Sequence, residues 1–481
     1  MLKELYGILG ANGWEEKKDT VEVRSPFDNR LISRVCLASE EDIRRAIGKA
    51  AEAFEITKKF SSRKRRDNCL GVARGIRGRF NEFVETLSLE AGKPVKTSRI
   101  EVERAINTFE IAAEEAQRLG GEFLPVDITP MAEPYTAITR RFPIGPASFI
   151  SPYNWPLNLV AHKVAPALAV GSTFILKPAT STPLTSLLMG EVVLQNCSLP
   201  QGSINVLPCR REEADLFSTD PGIKIISFTG SPEVGWMLKE RAGKKKVVLE
   251  LGGNAAAVVH HDADVDDAVS RCVTGSFSYA GQVCISVQRI LVHEKIYEEF
   301  KTKFVMETKK LRVGDPMEES TDLGPMIDQA NVRRLAEWVE EAEKRGGKIL
   351  TGNRHSGNLF HPTVLEEVPK DCRVYCQEAF GPVAVLAKYS SFKEAVDMVN
   401  DSEYGLQAGI FTRDAHNIFY AFENMEVGGV IAGDIPTTRV DNMPYGGVKN
   451  SGFGREGVKY AMEDMTEWRV LVMKNMGMGV D

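Results

Sequence analysis

The sequence predicts an α/β protein made of two alternating strand–helix units. Three observations carry this. The chain has 481 residues, more than one hydrophobic core accommodates, so two or three domains are expected. From Ala147 to Leu249, short apolar runs alternate with segments of helical period, the pattern of parallel strands covered on both faces. A second alternating stretch runs from about Gly252 to Val448.

Residues 21–35 read as a hairpin: Val21-Glu22-Val23 alternates, Pro26-Phe27-Asp28-Asn29 turns and 31–35 returns. Ser39, followed by Glu40-Glu41-Asp42, opens a helix that continues through Phe54. Two more helices are predicted over 63–91, interrupted near Gly75 and Gly78, and over 99–119. This front region reads as a helical layer with little visible chemistry. In the first alternating unit the predicted strands are 147–150, 173–176, 204–207, 223–226 and 247–249. Its helices are 157–170, closed by Gly171, then 184–194, 212–217 and 233–241. In the second unit the strands include 256–259, 289–292 and 383–386, and the helices 264–277, 297–308 and 330–345. There is no internal repeat and no low-complexity linker. Ligands of parallel sheets bind beyond the carboxyl ends of the strands, and a cleft is expected where the two units meet.

Composition narrows the class. Hydrophobic residues are 43% and charged residues 26%, the balance of a soluble globular chain. The net charge of -6 gives no global basic field for nucleic acid. The densest basic run, Arg63-Lys64-Arg65-Arg66, reads as a solvated helix face. Residues 1–11 lack the basic start and apolar core of a signal peptide, and no apolar run approaches about 18 residues, so no membrane span is expected. Eight cysteines are scattered without a CxxC pair, and Cys372 and Cys376 have no second ligand pair, so neither a disulfide framework nor a metal site is expected. A reduced, cytoplasmic protein is the expectation.

The chemistry concentrates at the junction. Gly281-Gln282-Val283-Cys284-Ile285 sets a thiol after a Gly-Gln turn, downstream of Glu250 in Leu249-Glu250-Leu251-Gly252-Gly253. A thiol nucleophile and a carboxylate base suit chemistry at a carbonyl carbon: the thiol forms a covalent intermediate and the base activates the water that releases it. Ser151-Pro152-Tyr153-Asn154-Trp155-Pro156 follows a strand, and its prolines fix the backbone around Asn154. A rigid Asn amide suits an oxyanion hole or, equally, a helix-capping turn. Phe228-Thr229-Gly230-Ser231-Pro232-Glu233-Val234-Gly235 follows a strand and opens a helix, so its amides and the Ser231 hydroxyl can meet a pyrophosphate, or the turn can serve packing alone. Lys177 closes a strand where it can reach ribose hydroxyls, or simply lie on the surface. Glu378, with Phe380 two residues on, can bind a diol and brace a flat ring, or form an exposed acid beside a core aromatic. His162, His260 and His261 show no ligand spacing.

Taken in order, these segments resemble the aldehyde dehydrogenase superfamily over nearly the whole chain. The run is Pro152-Tyr153-Asn154-Trp155-Pro156, Leu176-Lys177-Pro178, Phe228-Thr229-Gly230-Ser231, Leu249-Glu250-Leu251-Gly252-Gly253, Gly281-Gln282-Val283-Cys284, Glu378-Ala379-Phe380-Gly381-Pro382 and Pro444-Tyr445-Gly446-Gly447. The resemblance implies that Cys284 attacks the aldehyde, that Asn154 and the Cys284 amide hold the oxyanion, and that Glu250 activates water against the thioester. It implies Lys177 and Glu378 on the two riboses, Gly230, Ser231 and Gly235 around the pyrophosphate, and Phe380 by the nicotinamide ribose. It also implies a Rossmann-like NAD(P)-binding domain over 1–119 and 141–251, an α/β catalytic domain over 252–447, and a small β oligomerisation arm over 120–140 and 466–481. A homodimer or homotetramer follows, with the 468–473 strand pairing to another subunit.

Details within the resemblance discriminate further. Branches that transfer the acyl group to coenzyme A generally lack the acid at Glu250, so water is the expected acceptor. NAD-preferring members commonly carry glutamate three residues after the strand-end lysine. Here Thr180 stands there, which removes a clash with a 2′-phosphate and leans towards NADP or dual use. Asn254, the 283–289 segment and the 443–449 loop resemble the branch near lactaldehyde and non-phosphorylating glyceraldehyde-3-phosphate dehydrogenases. The phosphate-binding members of that branch carry arginine where Val283 stands. Trp155, Val283, Ile285 and Tyr445 are expected to line the substrate pocket. Arg104 and Arg439 either read an anionic or hydroxylated tail there or serve interdomain pairing. The expected substrate is a short hydroxylated aldehyde or a semialdehyde. The alternatives are a coenzyme A-acylating enzyme, or a binding or structural protein that kept the fold without the chemistry. A thiol hydrolase is a poor fit because no histidine falls in any motif.

Overall fold

The structure is a computed structural model and describes residues 2–474. Its first half is built on an eight-stranded sheet. In spatial order the strands are Gly452–Phe453, Lys246–Glu250, Ile225–Thr229, Ala147–Ile150, Phe174–Lys177, Ile204–Val206, Ile8–Gly10 and Gly13–Glu15. The five from Lys246–Glu250 to Ile204–Val206 run parallel. They read as continuous apolar runs because helices cover both faces: Phe149, Ile175 and Ile226 are all buried. The chain moves outward from Ala147–Ile150 on one side and then crosses to Ile225–Thr229 on the other. The crevice at the carboxyl ends of these two strands is therefore the switch point where such sheets take ligands.

A seven-stranded sheet organises the second half, in the order Lys348–Thr351, Thr363–Glu366, Val383–Tyr389, Arg289–His293, Ala256–Val259, Gln407–Phe411 and Gly429–Ala432. All neighbours are parallel except the first pair. Glu250 ends a strand of the first sheet, while Gly253 and Cys284 lie just before strands of the second. The carboxyl edge of one sheet thus faces the amino edge of the other. A separate antiparallel sheet joins Thr466–Lys474, Tyr135–Pro143 and Phe123–Leu124, and residues 475–481 of the expected arm lie outside the described residues.

Local chemistry explains most element boundaries. Ser39 and Asp42 form a reciprocal capping box on the Glu40–Thr57 helix. The strand expected at 223–226 lies two residues later, at Ile225–Thr229, because Asp220 holds the preceding turn through its side chain to Gly222 and its carbonyl to Ile223. The helix expected at 212–217 is a 3₁₀ turn, Glu213–Asp215, followed by the single turn Leu216–Thr219. The long helix expected over 63–91 divides at Arg79 into Ser62–Gly78 and Phe80–Ala91. Gly75 does not interrupt it. A side chain there would meet Asn196 Nδ2 at 2.6 Å, so this glycine lets two helices approach closely. The strands Ile8–Gly10 and Gly13–Glu15 extend the first sheet without a sequence signal strong enough to announce them. The front helices are also less inert than expected: Val95–Arg118 carries Glu101 and Arg104 into contact with the cleft loops.

The Asn158–Val170 helix, buried along its whole length, closes at Gly171 with φ of 81°. A Cβ there would sit 2.6 Å from the Thr57 carbonyl oxygen. Replacing Gly171 by Ala is expected to cost roughly 1–3 kcal/mol, from backbone strain and this contact. Urea unfolding reads it as a lower midpoint at unchanged slope; an unchanged midpoint would contradict the steric account.

Candidate active site

A cavity of about 950 Å³ opens between the two sheets. Its walls include Asn154, Cys284 and Glu250, together with Lys177, Thr180, Gly230, Ser231, Glu378 and Phe380. Of the cofactor candidates, Gly235 is the exception. It is buried in the Pro232–Arg241 helix, and a side chain there would overlap Leu251, so it serves packing.

The turn before Cys284 has an unusual backbone. Tyr279, Ala280 and Gly281 have φ of 49°, 50° and 67°, the left-handed region that non-glycine residues rarely enter. Surrounding contacts hold it there. Tyr279 donates its hydroxyl to the Ala91 carbonyl at 2.9 Å, and the Gln282 side chain accepts from the Ile327 amide at 2.9 Å. A side chain at Gly281 would overlap the Gly381 carbonyl. Cys284 emerges half-buried, its Sγ 3.1 Å from the Tyr445 hydroxyl. Burial pushes the thiol up to about 11, against the opposing pull of the Tyr445 hydrogen bond. The resting sulfur is therefore a protonated thiol at neutral pH.

Asn154 is buried and donates Nδ2–H to the Gln282 carbonyl at 2.9 Å. Its amide carries a second hydrogen, available to a ligand. Glu250 ends its strand with both carboxylate oxygens buried and unpartnered among the described residues. Gly446 approaches so closely that a Cβ would lie 2.8 Å from Glu250 Oε1. Burial first, then repulsion from Glu456, raises the Glu250 carboxyl well above its ordinary range, while Arg439 and Lys163 pull the other way. Beneath it lies a buried ionic lattice. Lys163 donates to Ser227, Thr229 and Glu456 at 2.9, 2.7 and 2.9 Å, and Arg439 reaches Glu456 at 3.1 Å. Burial pushes Glu456 up, but Lys163 and Arg439 outweigh it and hold this carboxyl at about 2.

The substrate-side candidates lie away from the large cavity. Val283, Ile285 and Tyr445 pack with Ala91 and Leu406, and with Cys284 and Met443 at the margin. Trp155 lies between Lys93, 3.8 Å from its ring, and Arg104, 5.5 Å away. Both arginines are engaged by acids of the chain itself. Arg104 makes a forked pair with Asp441 at 2.6 and 3.2 Å; Arg439 joins Glu456 and lies 3.7 Å over the Tyr445 ring. Both are thus paired within the chain, with Arg439 keeping one buried Nε–H unpartnered among the described residues.

The other wall has the features a dinucleotide needs. Ser231 caps the Pro232–Arg241 helix by accepting from the Val234 amide at 3.4 Å, leaving the helix start facing the cavity. Glu378 accepts from the Gly253 amide at 2.9 Å, and burial pushes its carboxyl up to about 7. Gly252 has no room for a Cβ beside that carboxylate. Phe380, at φ of 43°, meets Tyr153 edge-to-face at 5.9 Å. Sequence reasoning missed Tyr153, Arg211, Arg241 and Arg334, which also line the cavity. The doublet Arg210-Arg211 after a strand was a visible signal, but surface doublets look the same. No group of three metal-ligating side chains occurs among the described residues.

The match to the aldehyde dehydrogenase family model spans residues 14–471. The 3-sulfolactaldehyde dehydrogenase of Priestia aryabhattai is 43% identical over 469 residues, covering 97% of this chain and 98% of that protein. Aldehyde dehydrogenase 21 from Physcomitrella patens, solved in complex with the reaction product succinate, superposes with a TM-score of 0.98 at 47% identity, covering 99% of this chain and all of that one. Glyceraldehyde-3-phosphate dehydrogenase GapN from Methanocaldococcus jannaschii, solved with NADP, gives 0.92 at 38% identity, covering 96% and 100%. The chain belongs to the aldehyde dehydrogenase family, and it is an NAD(P)-dependent oxidoreductase acting on aldehydes.

Because burial holds the Cys284 thiol high, its alkylation by iodoacetamide in cofactor-free protein should keep accelerating up to about pH 10. Mass spectrometry of the Cys284 peptide follows it; a rate that levels off near pH 8 would contradict the raised thiol.

Proposed function

We propose that Cys284, Asn154 and Glu250 carry the oxidation of a short aldehyde to its carboxylic acid. The reading rests on one observation above all: the three side chains line the same cavity as a helix start, Lys177 and Glu378. Cys284 passes its proton to water as its sulfur forms a C–S bond to the aldehyde carbon and the carbonyl π bond opens, giving a thiohemiacetal. The carbonyl oxygen takes the negative charge and receives the free Asn154 amide hydrogen and the Cys284 backbone N–H. Bound NADP or NAD supplies the hydride acceptor that takes this carbon to the acyl level. Glu250, once ionised, removes a proton from water as the water oxygen attacks the thioester. The C–S bond breaks and the acid leaves. Lys177 and Glu378 would hold the riboses, Gly230 and Ser231 the pyrophosphate, and Phe380 would brace the nicotinamide end. In this reading Glu250→Gln leaves a first burst of reduced cofactor and slows steady turnover by roughly 100-fold or more. A steady rate equal to wild type removes Glu250 from the mechanism. A rate that rises with added coenzyme A indicates the acylating alternative.

NADP is the favoured cofactor. Thr180 and Arg211 both line the cavity, and Arg211 has no ion-pair partner among the described residues, whereas nearby Arg241 is paired with Asp215 at 2.6 Å. An unpaired guanidinium beside a small neutral residue suits a 2′-phosphate. Catalytic efficiency should be higher with NADP, and Thr180→Glu should shift the NADP-to-NAD ratio towards NAD by roughly tenfold or more. A wild-type preference for NAD, or no shift in the variant, refutes this.

The substrate is a short aldehyde with a hydroxyl or an anionic far end. Support comes from the 3-sulfolactaldehyde relative, from succinate as the product bound in the moss enzyme, and from the unpartnered Nε–H of buried Arg439. Val283 continues to weigh against a phosphorylated substrate. A panel of lactaldehyde, 3-sulfolactaldehyde, succinate semialdehyde and glyceraldehyde-3-phosphate, run beside Cys284→Ala, ranks these. The protein is a cytoplasmic homodimer or homotetramer in this reading. Its eight cysteines are free, and the strand Thr466–Lys474 leaves Trp468, Val470, Leu471 and Val472 about half exposed along the arm.

A further inference from the structure

The oxyanion donor and the nucleophile come from loops on opposite sheets, and the structure has a buried device that touches both. Lys93 sits in the short link between the Phe80–Ala91 and Val95–Arg118 helices and is fully buried. Its ammonium pairs with Glu101, also fully buried. It lies 3.8 Å from the Trp155 ring and 4.5 Å from the Tyr279 ring. Trp155 is the neighbour of Asn154. Tyr279 opens the left-handed turn that carries Cys284. On its other oxygen, Glu101 accepts the Leu157 and Asn158 amides at 2.9 and 3.1 Å, which are the free donors at the start of the helix after Asn154. The hydroxyl of Tyr279 is tied to Ala91, two residues before Lys93.

We propose that the Lys93–Glu101 pair is a positioning device that sets the Asn154 amide against the Cys284 sulfur, on the reading of those two residues given above. Glu101 fixes the backbone that follows Asn154. Lys93 holds an aromatic ring from each loop against one cation, which neither ring can leave without uncovering the charge. Burial draws the ammonium down to about 8 against the pull of Glu101, so Lys93 is still a cation at neutral pH. Lining neither wall of the cavity, the pair acts through the residues it holds.

The test is rapid mixing of the full-length protein with NADP and its best aldehyde, for wild type, Lys93→Gln, and Lys93→Met with Glu101→Gln. Cys284→Ala is the control. Burst rate, NADP affinity and thermal midpoint are measured for each. The double variant leaves no unpaired buried charge and keeps an oxygen for the Leu157 and Asn158 amides. It should regain thermal stability lost in a single variant. Its burst should still be slowed by roughly 10–100-fold, the effect of a misplacement approaching an ångström, with NADP affinity unchanged. Wild-type burst in a double variant of wild-type stability overturns the proposal. So does a loss of NADP affinity parallel to the loss of burst, which marks a general folding role. If the double variant does not fold, Lys93→Gln decides by the same comparison of burst with affinity. A burst that survives in Cys284→Ala overturns the underlying reading instead, and that outcome is independent of Lys93.

Discussion

The hydrogen bond from Asn154 Nδ2 to the Gln282 carbonyl is the contact on which the arrangement of this cleft depends. One end belongs to the loop leaving the first sheet at its switch point. The other belongs to the turn entering the second sheet, two residues before the nucleophile. A reacting carbonyl requires its attacking sulfur and its oxyanion donor to be set to within a fraction of an ångström. In the proposed mechanism neither sheet alone provides both. The left-handed run Tyr279-Ala280-Gly281 bends the nucleophile turn into range, and side chains from Gln282, Tyr279 and Asn154 keep a strained backbone from relaxing.

The electrostatics divide the same cleft into two regimes. The Glu250 carboxyl has no hydrogen-bond partner among the described residues and is raised; Glu456 has Lys163 and Arg439 and is lowered. The two carboxyl groups are thereby shifted in opposite directions. The same environment that raises Glu250 raises Cys284. Burial therefore disfavours the charged form of both groups in an apolar pocket.

What the sequence disclosed and what it concealed follow from distance along the chain. Cys284, Asn154, Lys177 and Glu378, which all line the cavity, stood out in the sequence because each lies at or near a strand end with glycine or proline within a few residues. The strands and helices around them followed from apolar period alone. The strand at Ile225–Thr229 slipped by two residues because an Asp220 side-chain turn overrode the apolar signal. The ionic lattice was not legible: Lys163 and Glu456 are 293 residues apart, and His162, Arg104 and Asp441 meet from three separate segments. A charged residue in sequence looks like surface, and only the fold reveals that its partner has been buried with it. Gly235 erred in the opposite direction: a glycine in a promising motif proved to be there for Leu251.

That pattern bears on how the substrate side is specified. Arg104 and Arg439 are each satisfied by an acid of the chain, so neither presents a free cation as an arginine one residue before the nucleophile would. Yet Arg439 spends one nitrogen on Glu456, lays its plane on Tyr445 and retains a buried Nε–H. The group formed by Lys163, Arg439 and Glu456 sets two basic side chains against one acid. In the proposed function, an anionic substrate tail on this side would compensate that excess without displacing an existing pair. In the proposed function, recognition of such a tail would draw on the charge balance of this group as well as on any single contact residue.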